Sequence, residues 1–301
     1  MDLASLFGEY LCHCRRQGLS PHTYRAYYSD LTAFLKWDPA GLAESFTKES
    51  VTGWVSELRE NGMAPASIKR KTACLRAACK WLEENDLLSN DPFSGLKLAI
   101  RLPKRLPKDL TKKELRQIFR GAERAARQAE SMGSWSMWLG LEILFSTGVR
   151  VGELCGIRLS DLDLEQGSIR VHGKGNRERL VFLIDSNVRK LLKDYLKVRE
   201  GLHPSTKQLL INDAARAVNP DFVRRRLRSL ADDCGIERKI TPHMFRHSAA
   251  TKLLEAGVDI RFVQRLLGHS SISTTEIYTH VVDASLHAVL LKADHRGGID
   301  A

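Results

Sequence analysis

One interruption governs what this chain can fold into. Apolar residues recur at helical spacing from Leu3 to Asn85, and again beyond Leu110, but the period is lost between Asn90 and Asp109. That stretch sets Pro92, Pro103 and Pro107 among Lys97, Arg101, Lys104, Arg105 and Lys108. Each proline lacks a backbone donor and turns the preceding residue away from helix, so a basic linker is predicted. A chain of 301 residues divided there gives an N-terminal unit over 1–88, a linker over 89–109 and a second unit over 110–301. Both units are of a size that one hydrophobic core can serve.

In the first unit the pattern predicts four helices, at Leu3–Gln17, Pro21–Trp37, Lys48–Asn61 and Pro65–Asn85. Ser20 before Pro21 reads as an N-cap followed by a first-turn proline, and Thr47 as the cap of the third helix. The fourth helix carries Lys69, Arg70, Lys71, Arg76 and Lys80 around Ile68, Leu75 and Trp81. Those charges fit either a solvated face or contact with a polyanion. The second unit opens with a capping box, Thr111-Lys112-Lys113-Glu114. Ser168–His172 and Glu178–Leu183 alternate as strands and flank Gly173-Lys174-Gly175-Asn176, which places Lys174 at or beside a hairpin tip. Helices follow near Ser186–Arg199, Pro220–Cys234, Pro242–Ala256 and Ile260–Leu267, the last capped by Asp259, with short ones around Thr275–His280 and Ala284–Lys292. The fold class predicted is mainly α: a small all-helical N-terminal domain, then a larger α-rich domain with a small antiparallel β element.

Charge narrows the partner. Lys and Arg number 47 against 36 Asp and Glu, a formal charge of +11, which suits a nucleic acid, although a ribosomal or membrane-surface protein would also fit. The six cysteines are scattered without a repeated spacing, as expected of reduced thiols. In Cys12-His13-Cys14 the cysteines are two residues apart on a helix and no second pair completes a tetrahedral set, so no metal is predicted. The first ten residues have no positively charged leader, and the most apolar run, Trp135–Val149, is too short for a membrane span. A cytoplasmic location with no membrane contact is the expectation.

Three further segments carry chemistry. His243-Met244-Phe245-Arg246-His247 follows Thr241-Pro242, setting His243 and Arg246 three residues apart at the positive end of a helix. His243 and His247 also have zinc-helix spacing, but the glutamate of the metalloprotease motif is replaced by Met244. Ser146-Thr147-Gly148-Val149-Arg150-Val151-Gly152-Glu153-Leu154 presents an arginine just after a helix-ending glycine. Leu267-Gly268-His269-Ser270, then Ser273-Thr274-Thr275-Glu276-Ile277-Tyr278-Thr279-His280, supplies a histidine followed by a tyrosine. Together these runs resemble the tyrosine recombinase (integrase) family, and within it the Xer-like bacterial members. The likeness is strongest from Thr147 to Val281 and architectural in the first ninety residues.

The resemblance implies a catalytic set of Arg150, Lys174, His243, Arg246, His269 and Tyr278, with every motif position filled by the usual residue. Tyr278 would be the nucleophile; a phenol, with an ordinary pKa of about 10, must lose its proton as it attacks phosphorus. His243 would assist that transfer, the two guanidiniums would hold the non-bridging oxygens, Lys174 would protonate the departing 5′ oxygen, and His269 would bond the phosphate or position the tyrosine. Glu153, three residues after Arg150, reads as a structural partner of its guanidinium. No cofactor, metal or ATP is implied. The partner would be duplex DNA with a specific recombination site, contacted by Lys69, Arg70, Lys71, Arg76, Lys104 and Arg105, in a C-shaped clamp. Val282, Leu286, Val289 and Leu290 fit a tail helix docking on a neighbouring subunit of a homo- or hetero-tetramer. Two alternatives stay open: relaxation of DNA in the manner of a type IB topoisomerase, and DNA binding without catalysis. Dimer resolution, plasmid or transposon resolution, and mobile-element integration share this chemistry, and the chain's length favours resolution.

Overall fold

The computed structural model describes residues 2–38, 40–101, 109–129, 131–173, 178–268 and 290. It divides into two compact units, Met1–Arg105 and Leu106–Ala301. The first is a helical bundle of α1 (Leu3–Arg16), α2 (Pro21–Trp37), α3 (Lys48–Glu60) and α4 (Pro65–Glu84), with a 3₁₀ turn at Ala43–Ser45. Ser20 accepts from the Thr23 amide at 3.1 Å, and Thr47 and Ser50 cap one another reciprocally. α1 has a cap that sequence reading passed over: Asp2 accepts from the amides of Ala4 and Ser5. Gln17, Asn61 and Asn85, expected to be the last helical residues, are instead the C-caps, because their ψ opens to between 4° and 17°. The core is aromatic at its centre, with Phe34 edge-on to Trp54 at 5.1 Å and to Phe46 at 5.3 Å.

The basic face of α4 is narrower than its sequence suggests. Lys69, Arg70 and Arg76 are exposed, but Lys71 is buried and its ammonium lies 3.1 Å from the fully buried carboxylate of Asp30. Arg70 binds the other oxygen of that carboxylate. Lys71 therefore serves the α2–α4 packing and is withdrawn from any phosphate-contacting surface. Arg76 lays its guanidinium over the Phe93 ring at 4.9 Å.

In the second unit, the order is α5 (Lys112–Ala129), α6 (Met132–Thr147), α7 (Val151–Gly156), β1 (Leu162–Asp163), β2 (Ser168–His172), β3 (Glu178–Phe182), α8 (Ser186–Gly201), α9 (Pro220–Asp233), α10 (Pro242–Glu255) and α11 (Ile260–Leu267). The apolar run from Trp135 belongs to α6, which is buried on nearly every side and packs against α5, α8 and α10. The three strands form one antiparallel sheet in the order β1-β2-β3, with Ile169 opposite Val181 and His172 opposite Glu178. β1, two residues long, was not foreseen; pairing with β2, rather than its own pattern, defines it.

The capping box at the start of α5 forms as expected: Glu114 accepts from the Thr111 amide and Thr111 from the Glu114 amide. Arg238 clamps the same carboxylate with two bonds of 2.6 Å and reaches the Asp109 carbonyl, while the Leu110 amide donates to Ser248 Oγ on α10. The incoming chain is thus fastened to the helix that carries His243 and Arg246. Among the described residues no helix is long and apolar enough to cross a membrane, and no His/Cys/Asp/Glu cluster has the make-up of a metal site. The linker candidates Lys104 and Arg105, residues 174–177 with Lys174 among them, and His269, Tyr278 and the expected helices at Thr275–His280 and Ala284–Lys292 (Leu290 apart) lie outside the described residues.

Candidate active site

α6 ends because Gly148 takes φ 64°, a left-handed conformation that returns its amide to the Leu144 carbonyl. The reversal delivers Arg150 to the N-cap of α7, where Glu153 closes on it twice. One carboxylate oxygen accepts from the Arg150 amide at 2.8 Å, and the other from its Nη1 at 2.9 Å. Glu153 is therefore the structural partner its spacing suggests. It also receives Nη1 and Nη2 of Arg179, from β3, at 3.2 and 2.7 Å.

Arg246 enters from α10. Its side chain makes no ion pair among the described contacts and instead donates to two backbone carbonyls, that of Gly148 at 2.5 Å and that of Leu267 at 2.6 Å. The second belongs to the C-terminus of α11, where helical carbonyls lack intrahelical partners and the dipole is negative. Three guanidiniums meet there. Arg179 Nε donates to Leu266 at 2.9 Å, Arg246 to Leu267, and Arg150 Nη2, at a long 3.4 Å, to Gly268. Arg150 and Arg246, expected together from sequence, are thus brought to one place by the end of α11. Arg179 was missed; its place two residues before Val181 puts it on the same face of β3 as that buried side chain, but this names neither of its partners.

The charges explain the order of the cluster. Burial, and after it the neighbouring Arg150 and Arg179 against the relief from Glu153, brings Arg246 down to about 10, still well above neutral. Burial of Glu153 would raise its carboxyl, but the bonds from Arg179 and Arg150 outweigh this and hold it below the usual carboxylate range. Three cations face one anion, so the cluster retains a positive surplus able to take the non-bridging oxygens of a phosphate. His243 lies on the first turn of α10 and is exposed, one turn ahead of buried Arg246, and Thr241 makes no side-chain cap there. His247 is also exposed, with Nε2 3.6 Å from Asp109 Oδ1.

Two family models cover the chain: the phage integrase family over residues 108–285, and the phage integrase N-terminal SAM-like domain over 5–85. The chain belongs to the phage integrase family of tyrosine recombinases. A tyrosine recombinase of Agathobacter rectalis is 32% identical across 98% of both chains. Tyrosine recombinase XerC of Corynebacterium glutamicum is 36% identical across 93% of this chain and 88% of its own. The fold is shared with a lambda integrase dimer bound to a COC′ core site, at a TM-score of 0.71 and 20% identity, covering 92% of this chain and all of that one. As a tyrosine recombinase the chain is an enzyme of DNA cleavage and rejoining, and the family match spans the positions of Lys174, His269 and Tyr278 as well as those of the arginine cluster.

Proposed function

We propose that this recombinase cuts and rejoins duplex DNA at a specific site through a 3′-phosphotyrosyl link to Tyr278. The observation that carries the reading is the convergence of Arg150 and Arg246 on one positively charged cluster, held by backbone carbonyls and a single carboxylate, in a chain matched to the family in both units. As Tyr278 Oη bonds to phosphorus, the 5′ oxygen leaves and charge builds on the non-bridging oxygens, where Arg150 and Arg246 present paired donors. His243 assists removal of the phenolic proton, Lys174 gives a proton to the leaving oxygen, and His269 holds the phosphate or the tyrosine. One diester replaces another, so the free energy of the broken bond is kept for the reverse attack by a second 5′ hydroxyl, and no ATP is consumed. The guanidiniums take the role that divalent cations fill in many phosphoryl-transfer enzymes, and no metal is needed.

The partner is duplex DNA carrying a recombination site, bound by four subunits of this chain or by this chain with a related recombinase, and the setting is the cytoplasm, on the nucleoid. Contacts from Lys69, Arg70, Arg76, Lys104 and Arg105 to phosphates make binding strongly salt-dependent. We propose that the tail segment carrying Val282, Leu286 and Val289 joins neighbouring subunits; Leu290, expected to share that role, is instead buried in the core of the second unit and is withdrawn from it. The test is a nicked suicide duplex of a candidate site, incubated with wild type or Tyr278→Phe and run on a denaturing gel. A covalent protein–DNA band that survives EDTA and disappears in the variant is the expected result. A band that persists in Tyr278→Phe, or that requires a metal, would refute the reading; relaxation of DNA lacking any site would move it to the topoisomerases.

A further inference from the structure

Arg179 is half of an arrangement that the recombination chemistry does not by itself require. Its side chain is 15% exposed, and all three of its nitrogens are engaged: Nη1 and Nη2 on the two oxygens of Glu153, and Nε on the Leu266 carbonyl. Glu153 in turn holds Arg150, and Leu266 precedes the Leu267 and Gly268 carbonyls that receive Arg246 and Arg150. The fit is close. Gly268 has φ 62°, and a Cβ there would stand 3.1 Å from Arg179 Nη1, so a side chain at this position would both strain the backbone and press on the guanidinium.

We propose that Arg179 is a positioning residue for strand cleavage, which locks Arg150 through Glu153 and fixes the end of α11 on which Arg246 rests. The proposal rests on the recombinase reading above. A planar guanidinium satisfies this geometry because its donors point along a fork matched to a carboxylate, with Nε left for the carbonyl at the side; a lysine ammonium reaches one partner at a time. Without the fork, Glu153 retains Arg150 but loses its second cation, and the Leu266 carbonyl loses its donor. The two phosphate-binding guanidiniums then stop being fixed relative to one another. Misplacement of a reacting group by about 1 Å costs about 10²-fold in rate, while affinity for DNA, spread over many phosphates, is retained.

The experiment uses the full chain and a nicked duplex on which wild type has already given its covalent band; absence of that band would count against the recombinase reading, not against this one. Single-turnover cleavage at saturating protein and DNA affinity are measured separately for Arg179→Ala and Arg179→Lys, with folding monitored by circular dichroism. Expected is a fall of about 10²-fold in cleavage for Arg179→Ala at unchanged affinity, with partial recovery in millimolar guanidinium at constant ionic strength. Arg179→Lys, which keeps the charge and guards against a misfolded alanine variant, should cleave slowly at wild-type affinity. Wild-type cleavage by Arg179→Lys, or a loss in either variant that follows folded fraction or DNA affinity and ignores guanidinium, overturns the proposal.

Discussion

Substituting Gly148 by alanine tests how the fold sets Arg150 and Arg246 at once. Gly148 has φ 64°, which costs an L-residue about 1–2 kcal/mol. A Cβ would also lie 2.6 Å from Leu267 Cδ2, inside any real contact, and Leu267 is 5% exposed. Overpacking of this kind costs about 1–3 kcal/mol, so the two effects together predict a loss of about 2–5 kcal/mol. Gly152 supplies the control: it is exposed and helical, a Cβ there meets nothing within 4 Å, and alanine should stabilise by about 0.5–1 kcal/mol. Because the chain has two units, native-state hydrogen exchange of the α6 amides, read by mass spectrometry, isolates the unit concerned. If α6 protection in Gly148→Ala equalled wild type, or Gly152→Ala lost as much, the left-handed turn and its packing on Leu267 would not be what fixes this corner. Leu267 also carries the carbonyl that receives Arg246, so the same variant should slow DNA cleavage more than its remaining stability accounts for.

Asp30→Asn leaves the buried Lys71 ammonium without its carboxylate and should cost about 3 kcal/mol on thermal or urea unfolding, whereas Lys69→Ala, on the exposed face, should stay within about 0.5 kcal/mol. Equal effects at the two sites would show Lys71 to be solvated. The Glu114 carboxyl, held by Arg238 at about 2 against an ordinary 4.5, contributes stability that is complete above pH 4.5 and lost as pH falls toward 2; a pH titration of the melting temperature should be shallower over that window in Glu114→Gln. Iodoacetamide at pH 8 should label Cys12, the exposed thiol, first, since burial raises Cys74 and Cys155 to about 12, the nearby Asp30 adding to the effect at Cys74. Early labelling of Cys74 by mass spectrometry would contradict the packing of the first unit.

What could be read from sequence was local. Ser20-Pro21, Thr47, Thr111 with Glu114, and Asp259 announce helix starts because a cap is satisfied within three residues, and all of them form. Arg150 and Glu153 are likewise one helical turn apart. The misreadings are of long range. Lys71 looks like its exposed neighbours until Asp30, forty-one residues earlier, is folded against it. Arg179 meets Glu153 across twenty-six residues and the Leu266 carbonyl across eighty-seven, and neither separation leaves a trace in periodicity. β1 escaped for the same reason: Leu162 and Asp163 become a strand only by bonding to Ile169 and Ser168.

The partners chosen by the arginines bear on how the site works. Packing three guanidiniums together with carboxylates alone would cancel their charge, and packing them with nothing would leave buried donors unmet. Here one carboxylate, Glu153, is shared by Arg150 and Arg179, and the remaining bonds described run to the carbonyls of Gly148, Leu266, Leu267 and Gly268. Carbonyls satisfy donors without a formal charge, so Arg246, lowered by burial to about 10, stays cationic at neutral pH. Of the five N–H groups on each guanidinium, the bonds described use two in Arg150 and two in Arg246, which leaves donors on both for phosphate oxygens. On the proposed reading, the cluster is fixed in place before DNA arrives and carries the charge that a phosphoryl-transfer transition state calls for, which is the condition under which electrostatic stabilisation needs no rearrangement at the moment of reaction.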